Sequence, residues 1–236
     1  MRTFLMCGGR GERLGELTKD KPKCLVEIGG KTMLDRWLNK FDEWKFSDVL
    51  INMNYCSDKI MDYLKGISWN KMRVTLSSEK ELLGTARTLY ENRRFVKGEY
   101  CFGVVYADVW TTFDMRKMIS FHKRRPGMIT LGLYENNTFE GKGVCVVKDG
   151  LVVGFEEKPQ IPKSKYIWGG ILVAHPSIFS VIDAGMVDIA NDLLPKLVKV
   201  GMVSAFYIDQ PLVDMGTAEG YKKANELSRS LGFEVL

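Results

Sequence analysis

The chain has 236 residues, 45% apolar and 27% charged, with a formal net charge of +5; that is enough chain for a real core, with an ordinary globular composition. No apolar run reaches membrane-spanning length, and the N-terminal apolar run is broken too early by glycine and charge to be a signal peptide, so a cytoplasmic protein with no membrane partner is expected. The five cysteines, Cys7, Cys24, Cys56, Cys101 and Cys145, form no Cys-x-x-Cys and have only His122 and His175 to join them, which excludes a zinc pattern and an evident disulfide set.

In chain order, Thr3–Cys7 reads as a short strand ended by glycine. Thr32–Phe46 carries Met33, Leu34, Trp37, Leu38, Phe41 and Trp44 at helical spacing. Val49–Met53 reads as a buried strand, and Ser57–Leu64 as a helix capped by Ser57, with Ile60, Met61 and Leu64 on one face. Arg73–Leu76 is a third strand, Thr85–Arg94 a third helix, and Tyr100–Tyr106 a fourth strand that ends at Ala107-Asp108. This alternation predicts an α/β fold with a mostly parallel sheet covered on both faces, which binds ligands beyond the carboxyl ends of its strands.

The run His122–Pro126 (HKRRP) reads as a solvated helix end, so no nucleic-acid partner is expected. In the second half, Met128–Tyr134, Gly143–Lys148, Leu151–Phe155, Lys165–Ala174 and Val203–Ile208 read as strands, with a tight turn at Lys148-Asp149-Gly150. Helical patterns cover Pro176–Ile182, Ile189–Val198 and Thr217–Ser230. With no long linker, repeat or low-complexity tract, residues 1–236 are expected to form a single domain. Its nucleotide-side half would cover about 1–125 and its substrate-side half about 126–236.

Chemistry concentrates at a few points. Gly8-Gly9-Arg10-Gly11-Glu12-Arg13-Leu14 follows the first strand but is neither the usual dinucleotide fingerprint nor a Walker loop. It offers unhindered backbone N–H groups for a phosphate nest, with Arg13 as a planar clamp and Lys23 after the stiffening Pro22. A glycine turn alone is as often structural; beside Arg13 and Lys23 the phosphate reading is favoured. Asp108 at a strand end and Asp214 before a helix are each, singly, a cap or turn former. Beside a phosphate loop they read as ligands for a divalent ion. Glu157-Lys158-Pro159 reads equally as a charged surface turn or as a carboxylate for hydroxyls with an ammonium for a substrate phosphate.

These residues together resemble the nucleoside-triphosphate sugar-1-phosphate nucleotidyltransferases. CGGRGERLGELTKDKPK is similar to that family's N-terminal signature, and Leu82–Ala86 (LLGTA) to its base-and-ribose loop. Val104–Trp110 (VVYADVW) stands at its Asn-Gly-Asp strand end, and Phe155–Pro159 and Val213–Thr217 at its sugar-side and second metal motifs. The resemblance runs from about Arg2 to Asn225. It implies a Rossmann-like fold of the nucleotide-diphospho-sugar transferase type, with a mixed, mostly parallel sheet flanked by helices. It also implies attack of a sugar phosphate on the α-phosphorus of a nucleoside triphosphate, with pyrophosphate leaving. On that likeness Gly8, Gly9, Gly11 and Arg13 hold the β- and γ-phosphates, and Lys23 stabilises the α-phosphate. Gly84 and Thr85 contact the nucleotide, and Asp108 and Asp214 hold Mg²⁺ or Mn²⁺. Glu157, Lys158 and Gly170 receive the phosphorylated acceptor.

Three departures bear on the substrate. Tyr106-Ala107-Asp108 replaces Asn-Gly-Asp, Trp168-Gly169-Gly170 stands for Asn-Ala-Gly, and Arg87 occupies the place of a second glycine. Trp168 would either stack on an acceptor ring or, the favoured reading, fill the core. The chain is expected to be a stand-alone transferase of the short type, with room for a homo-oligomer. The alternatives are a cytidylyltransferase for a phosphocholine-like or amino-alcohol phosphate, and a catalytically silent nucleotide-binding regulatory subunit.

Overall fold

The structure, a computed structural model, describes residues 1–69, 72–136, 139 and 141–233. Strand β1 (Arg2–Met6) leads into the glycine loop, two 3-10 stretches at Glu12–Thr18 and Lys23–Leu25, and the small antiparallel pair β2 (Glu27–Ile28) and β3 (Lys31–Thr32). Helix α1 (Met33–Glu43) starts where the Thr32 hydroxyl accepts the Asp35 amide at 3.1 Å, and it buries Met33, Leu34, Trp37, Leu38 and Phe41 as the spacing predicts. Strand β4 (Asp48–Met53) is buried along its whole length.

Helix α2 (Ser57–Leu64) has the expected bounds but not the expected cap. Cys56, in the left-handed region at φ 49°, precedes the first helical residue, and no side chain caps the helix. Ile60 is its only buried residue, and Met61 is exposed. Ser57 adopts the helical backbone itself, so it cannot stand in the half-extended cap position.

Strand β5 (Arg73–Ser78) is followed by α3 (Thr85–Glu91), which ends at Asn92 and gives way to a 3-10 turn at Arg93–Val96. Then come β6 (Phe102–Tyr106), β7 (Val109–Thr111) and α4 (Met115–His122). Strands β8 (Ile129–Glu135), β9 (Gly143–Lys148), β10 (Leu151–Glu157) and β11 (Tyr166–Ala174) follow. The helix expected over Ile189–Val198 opens as a π turn at Ile189–Leu193 before α5 (Leu194–Lys199), where Pro195 brings no N–H to the ladder. A short 3-10 stretch at Pro176–Ser180 stands where a helix over Pro176–Ile182 is expected, and strands β12 (Val203–Tyr207) and β13 (Leu212–Asp214) and helix α6 (Ala218–Ser230) complete the described elements.

The chain forms two compact units, neither of them one stretch of sequence. The first gathers Met1–Leu82, Val105–Thr112 and Pro211–Leu236; the second gathers Leu83–Val104 and Phe113–Gln210. In the first unit β5, β4 and β1 lie side by side in that order, all parallel, with crossovers through α1 and α2. That is the α/β organisation the alternating pattern predicts. The same unit holds an antiparallel ribbon that the sequence does not announce, β7 against β13, with Asp214 opposite Val109.

In the second unit the order is β11-β8-β12-β10-β9, and β9 also pairs with β11. There β8 and β12 run parallel, while β10 with β12, β10 with β9, and β11 with β8 and β9 are antiparallel. The β11–β8 ladder breaks register between Trp168 and Leu172, where Gly170 takes φ 68°. Such a bulge re-aims the side chains around it.

Candidate active site

The glycine loop follows directly from β1. Cys7 donates its amide to Asn52 Oδ1 at 2.8 Å, and the Asn52 Nδ2 donates to Glu79 Oε1 at 3.0 Å, so the loop leaves the sheet from a tied point. A Cβ on Gly8 would stand 2.9 Å from Asn52 Nδ2 and 3.2 Å from Leu82 Cδ1, which leaves no space for a side chain. Gly9 has nothing within 4 Å of that position and faces open space.

Gly11 takes φ 73°, and its carbonyl accepts the Thr18 hydroxyl at 2.8 Å. A Cβ there would meet Thr18 and the Lys23 stem at 3.1 to 3.2 Å, so the return of the chain to Lys23 needs glycine at this point. Among the described residues, the amides of Gly8, Gly9, Arg10 and Gly11 donate to no acceptor. Successive unclaimed N–H groups are what a nest offers to an anion. Burial, then the neighbouring Cys24 thiol, push the Cys7 thiol well up, so a neutral group lies beneath this loop.

Four charged side chains converge beside it. The Lys23 ammonium is hydrogen-bonded to Asp108 Oδ2, both groups being largely buried. Asp108 stands in the turn that enters β7, and its carbonyl accepts the Met215 amide at 2.9 Å. The β7–β13 ribbon therefore brings Asp214 next to Asp108. Asp214 Oδ1 accepts the Gly216 amide at 2.7 Å, a turn former's bond, while Thr217 caps α6 by accepting the Gly220 amide at 3.1 Å.

Gly216 marks the centre of the group. A Cβ on it would stand 2.6 Å from Lys23 Nζ, 2.8 Å from Asp214 Oδ1 and 3.2 Å from Arg13 Nη2. The Arg13 guanidinium is exposed and has no hydrogen-bond partner among the described residues. Burial, then the Asp108 charge, raise the Asp214 carboxyl above its ordinary range, against Lys23, the Gly216 amide and Arg13. Hard oxygen donors such as these two adjacent carboxylates suit Mg²⁺ or Mn²⁺. No group of three or more His, Cys, Asp or Glu side chains among the described residues could hold a metal alone. Asp108 and Asp214 are the residues that would hold such an ion.

The remaining expected residues lie in the second unit. Gly84 takes φ 87°, and a Cβ on it would collide with the Val187 carbonyl oxygen. The Thr85 hydroxyl donates to Asp188 Oδ2 at 2.9 Å and accepts the Ile189 amide at 2.8 Å, so its side chain is engaged within the protein. Arg87, in the place of the second glycine, bonds Glu91 Oε1 at 2.7 Å through Nε and donates to the Ala184 carbonyl. Ala107 does not have a positive φ, so alanine fits where the resemblance expects glycine.

Glu157 ends β10 opposite Gly143. A Cβ on Gly143 would come 2.9 Å from Glu157 Oε2, so the missing side chain makes room for the carboxylate. Burial raises the Glu157 carboxyl; Lys158, at 3.7 Å, lowers it, and Asp188 raises it again. Lys158 is exposed and sits at φ 50°, its amide bonded to the Lys142 carbonyl at 3.0 Å. Trp168 packs, as favoured: it is buried, donates Nε1 to the Ile171 carbonyl at 3.1 Å and meets Phe155 edge-on at 6.3 Å.

Asn52, Glu79 and Asp188 are the residues that pattern reading passes over. The only signal for Asn52 is a lone amide in the otherwise apolar run Val49–Met53, and Asp188 looks like an ordinary helix cap.

A rice protein (Oryza sativa subsp. japonica), provisionally named mannose-1-phosphate guanylyltransferase 2, is 29% identical over 227 residues, which are 94% of this chain and 63% of the relative. The chain therefore spans less than two thirds of that relative. A Bacillus anthracis crystal structure with sucrose, provisionally assigned as a glucose-1-phosphate thymidylyltransferase, superposes with a TM-score of 0.87 at 24% identity, covering 97% of this chain and 95% of that one. HddC from Yersinia pseudotuberculosis, complexed with GMP-PN, gives a TM-score of 0.81 at 23% identity, covering 96% and 98%. The family described as nucleotidyl transferase matches residues 2–230, and the chain belongs to it.

Proposed function

We propose that this chain transfers a nucleoside monophosphate from a nucleoside triphosphate to a sugar 1-phosphate. The observation that carries the reading is the convergence of Arg13, Lys23 and Asp214 on Gly216, with Lys23 bonded to Asp108, beside four unclaimed loop amides. Both reactants are polyanions, so their approach needs fixed positive charge and donors aimed at phosphate oxygens. The amides of Gly8 to Gly11 and the Arg13 guanidinium would bind the β- and γ-phosphates. Lys23 would share its charge between Asp108 and the α-phosphate. Mg²⁺ or Mn²⁺ bound by Asp108 and Asp214 would supply further neutralisation of phosphate charge.

The acceptor's phosphate oxygen forms the new bond to the α-phosphorus. The bond from that phosphorus to the bridging oxygen breaks, and pyrophosphate leaves with the electron pair. A phosphate nucleophile is already ionised at neutral pH, so no general base is required. Gly84 and Thr85 would meet the nucleotide, Lys158 the acceptor phosphate, and Glu157 and the Gly170 bulge the acceptor's hydroxyls. The relative named for mannose 1-phosphate and the neighbour bound to GMP-PN make GTP with mannose 1-phosphate the first pair to try. No described helix is long and apolar enough to cross a membrane.

The test is a panel of the four triphosphates against sugar 1-phosphates, choline phosphate and amino-alcohol phosphates, with Mg²⁺ and pyrophosphate detection. Release of pyrophosphate with a sugar 1-phosphate supports the reading. Turnover confined to non-sugar phosphates replaces the acceptor class. Triphosphate binding without release across the panel replaces the enzyme by a binding subunit.

A further inference from the structure

Asp188 uses both carboxylate oxygens. Oδ2 accepts from the Thr85 hydroxyl at 2.9 Å, while Oδ1 accepts the amides of Ala190 at 2.7 Å and Asn191 at 3.1 Å. The Thr85 oxygen in return accepts the Ile189 amide at 2.8 Å. One residue earlier, the Val187 carbonyl accepts the amides of Ala86 at 3.0 Å and Arg87 at 3.4 Å. Those are orphan donors of α3, which has no side-chain cap of its own. Asp192 then braces the segment, its Oδ2 accepting the amides of Val187 and Asp188, both at 2.8 Å.

A helix cap needs only Oδ1. The second oxygen and the Thr85 hydroxyl form a separate link, which fixes the Gly84–Thr85 turn by its side chain. A threonine whose hydroxyl is committed on both sides offers a ligand its backbone and a fixed orientation, rather than a mobile donor.

We propose that Asp188 is a positioning residue for nucleotide binding, acting through the Thr85 hydroxyl to hold the Gly84–Thr85 turn. The proposal rests on the reading that this turn meets the nucleotide. Thr85→Val keeps the shape and removes the link, and Asp188→Ala removes the link and the cap. Asp188→Asn keeps the cap oxygen and can still bond Thr85 through its amide.

The experiment is steady-state kinetics of the wild type, the three single variants and the Thr85→Val/Asp188→Ala double variant, with melting curves alongside. Loss of a hydrogen bond to a charged group predicts a triphosphate KM raised about tenfold in Thr85→Val and in Asp188→Ala, with kcat and acceptor KM little changed. The double variant is expected to be no worse in KM than the worse single one, and Asp188→Asn to recover most of the loss. Should Asp188→Ala fail to fold, Thr85→Val and Asp188→Asn carry the same contrast.

A fall in melting temperature with unmoved triphosphate KM, or additive KM losses in the double variant, overturns the proposal alone. A wild-type chain that neither binds triphosphate nor releases pyrophosphate overturns it together with the functional reading beneath it.

Discussion

Asn52 Oδ1 accepts the Cys7 amide at 2.8 Å, which ties the entrance of the glycine loop to the neighbouring strand. Asn52 lies in β4, and Cys7 directly follows β1, whose parallel ladder with β4 ends at Met6 opposite Asn52. The amide side chain thus continues the hydrogen bonding one residue beyond the ladder. Its Nδ2 is held by Glu79, so Asn52 has one available orientation. Asn52→Leu removes both bonds at a site only 4% exposed. A loss of about 2–4 kcal/mol is expected in urea unfolding, together with a raised triphosphate KM. Asn52→Asp keeps an acceptor for Cys7 but sets a carboxylate against Glu79, and its melting temperature should lie below the wild type's at neutral pH.

Lys23 and Asp108 give the sharpest test of the phosphoryl-transfer reading. Asp108→Asn should keep the fold and lose most turnover. Lys23→Ala should lower kcat by about 10²–10³-fold, the range for deleting one preorganised charge donor. Lys23 is among the groups that hold the Asp214 carboxyl down, so its removal also raises Asp214's proton affinity. Titration of Mg²⁺ against activity at pH 6 and pH 8 should show the variant's demand for the ion rising at the lower pH more than the wild type's. Near-normal turnover in Asp108→Asn would sink the metal assignment.

Gly84 and Gly150 separate two costs of replacing glycine. Both have positive φ, 87° and 77°, but only Gly84 faces backbone, the Val187 carbonyl; Gly150 has nothing within 4 Å. Gly150→Ala should cost about 1 kcal/mol from conformation alone. Gly84→Ala adds a collision and should cost about 2–4 kcal/mol. Equal melting temperatures for the two variants would contradict the collision.

His122 predicts an acid-sensitive second unit. Burial, then His175, lower its ring pKa from 6.5 to about 4, while Nδ1 lies 2.8 Å from Thr130 Oγ1. Between those values the unfolded chain takes up a proton that the native ring refuses. Stability should therefore fall as pH drops from 6.5 towards 4, by up to about 3 kcal/mol. His122→Gln should flatten the dependence of melting temperature on pH in that window, whatever its effect at neutral pH.

Glu157 carries the opposite sign. Burial raises its carboxyl above 4.5, so native protein binds the proton more tightly than unfolded protein, and stability is lost as pH rises through and above that value. Glu157→Gln should gain melting temperature at pH 7 relative to pH 4.5. It should also raise the acceptor KM with little change in the triphosphate KM. A gain in stability without any loss of acceptor affinity would leave Glu157 a buried charge with no ligand.

The local pattern of the chain determined a good deal. Apolar spacing in Met33–Phe41 specified a helix and its buried face, and the alternation of elements specified a parallel α/β arrangement in the first unit, because both depend on periodicities of a few residues. Likewise, Gly8 to Gly11, with Arg13 and Lys23 close behind them, were legible as a candidate phosphate loop within a short stretch. At Gly11 the backbone turn itself requires glycine, which the sequence reading had assigned only to phosphate contact, while Trp168 packed as favoured.

What only the tertiary structure decided is which distant residues meet. Asp108 and Asp214 are neighbours because Val109–Thr111 pairs with Leu212–Asp214, and each strand is too short to show a period of its own. Asn52 and Cys7, and Thr85 and Asp188, are joined by single side-chain hydrogen bonds across long loops of chain. The misplaced cap at Ser57 has a related cause: Cys56 took the left-handed turn, a choice set by how the chain leaves β4 rather than by the capping preference of serine. Pairing between short segments and single polar contacts leave no periodic trace in a sequence, and here they set the charge at the site.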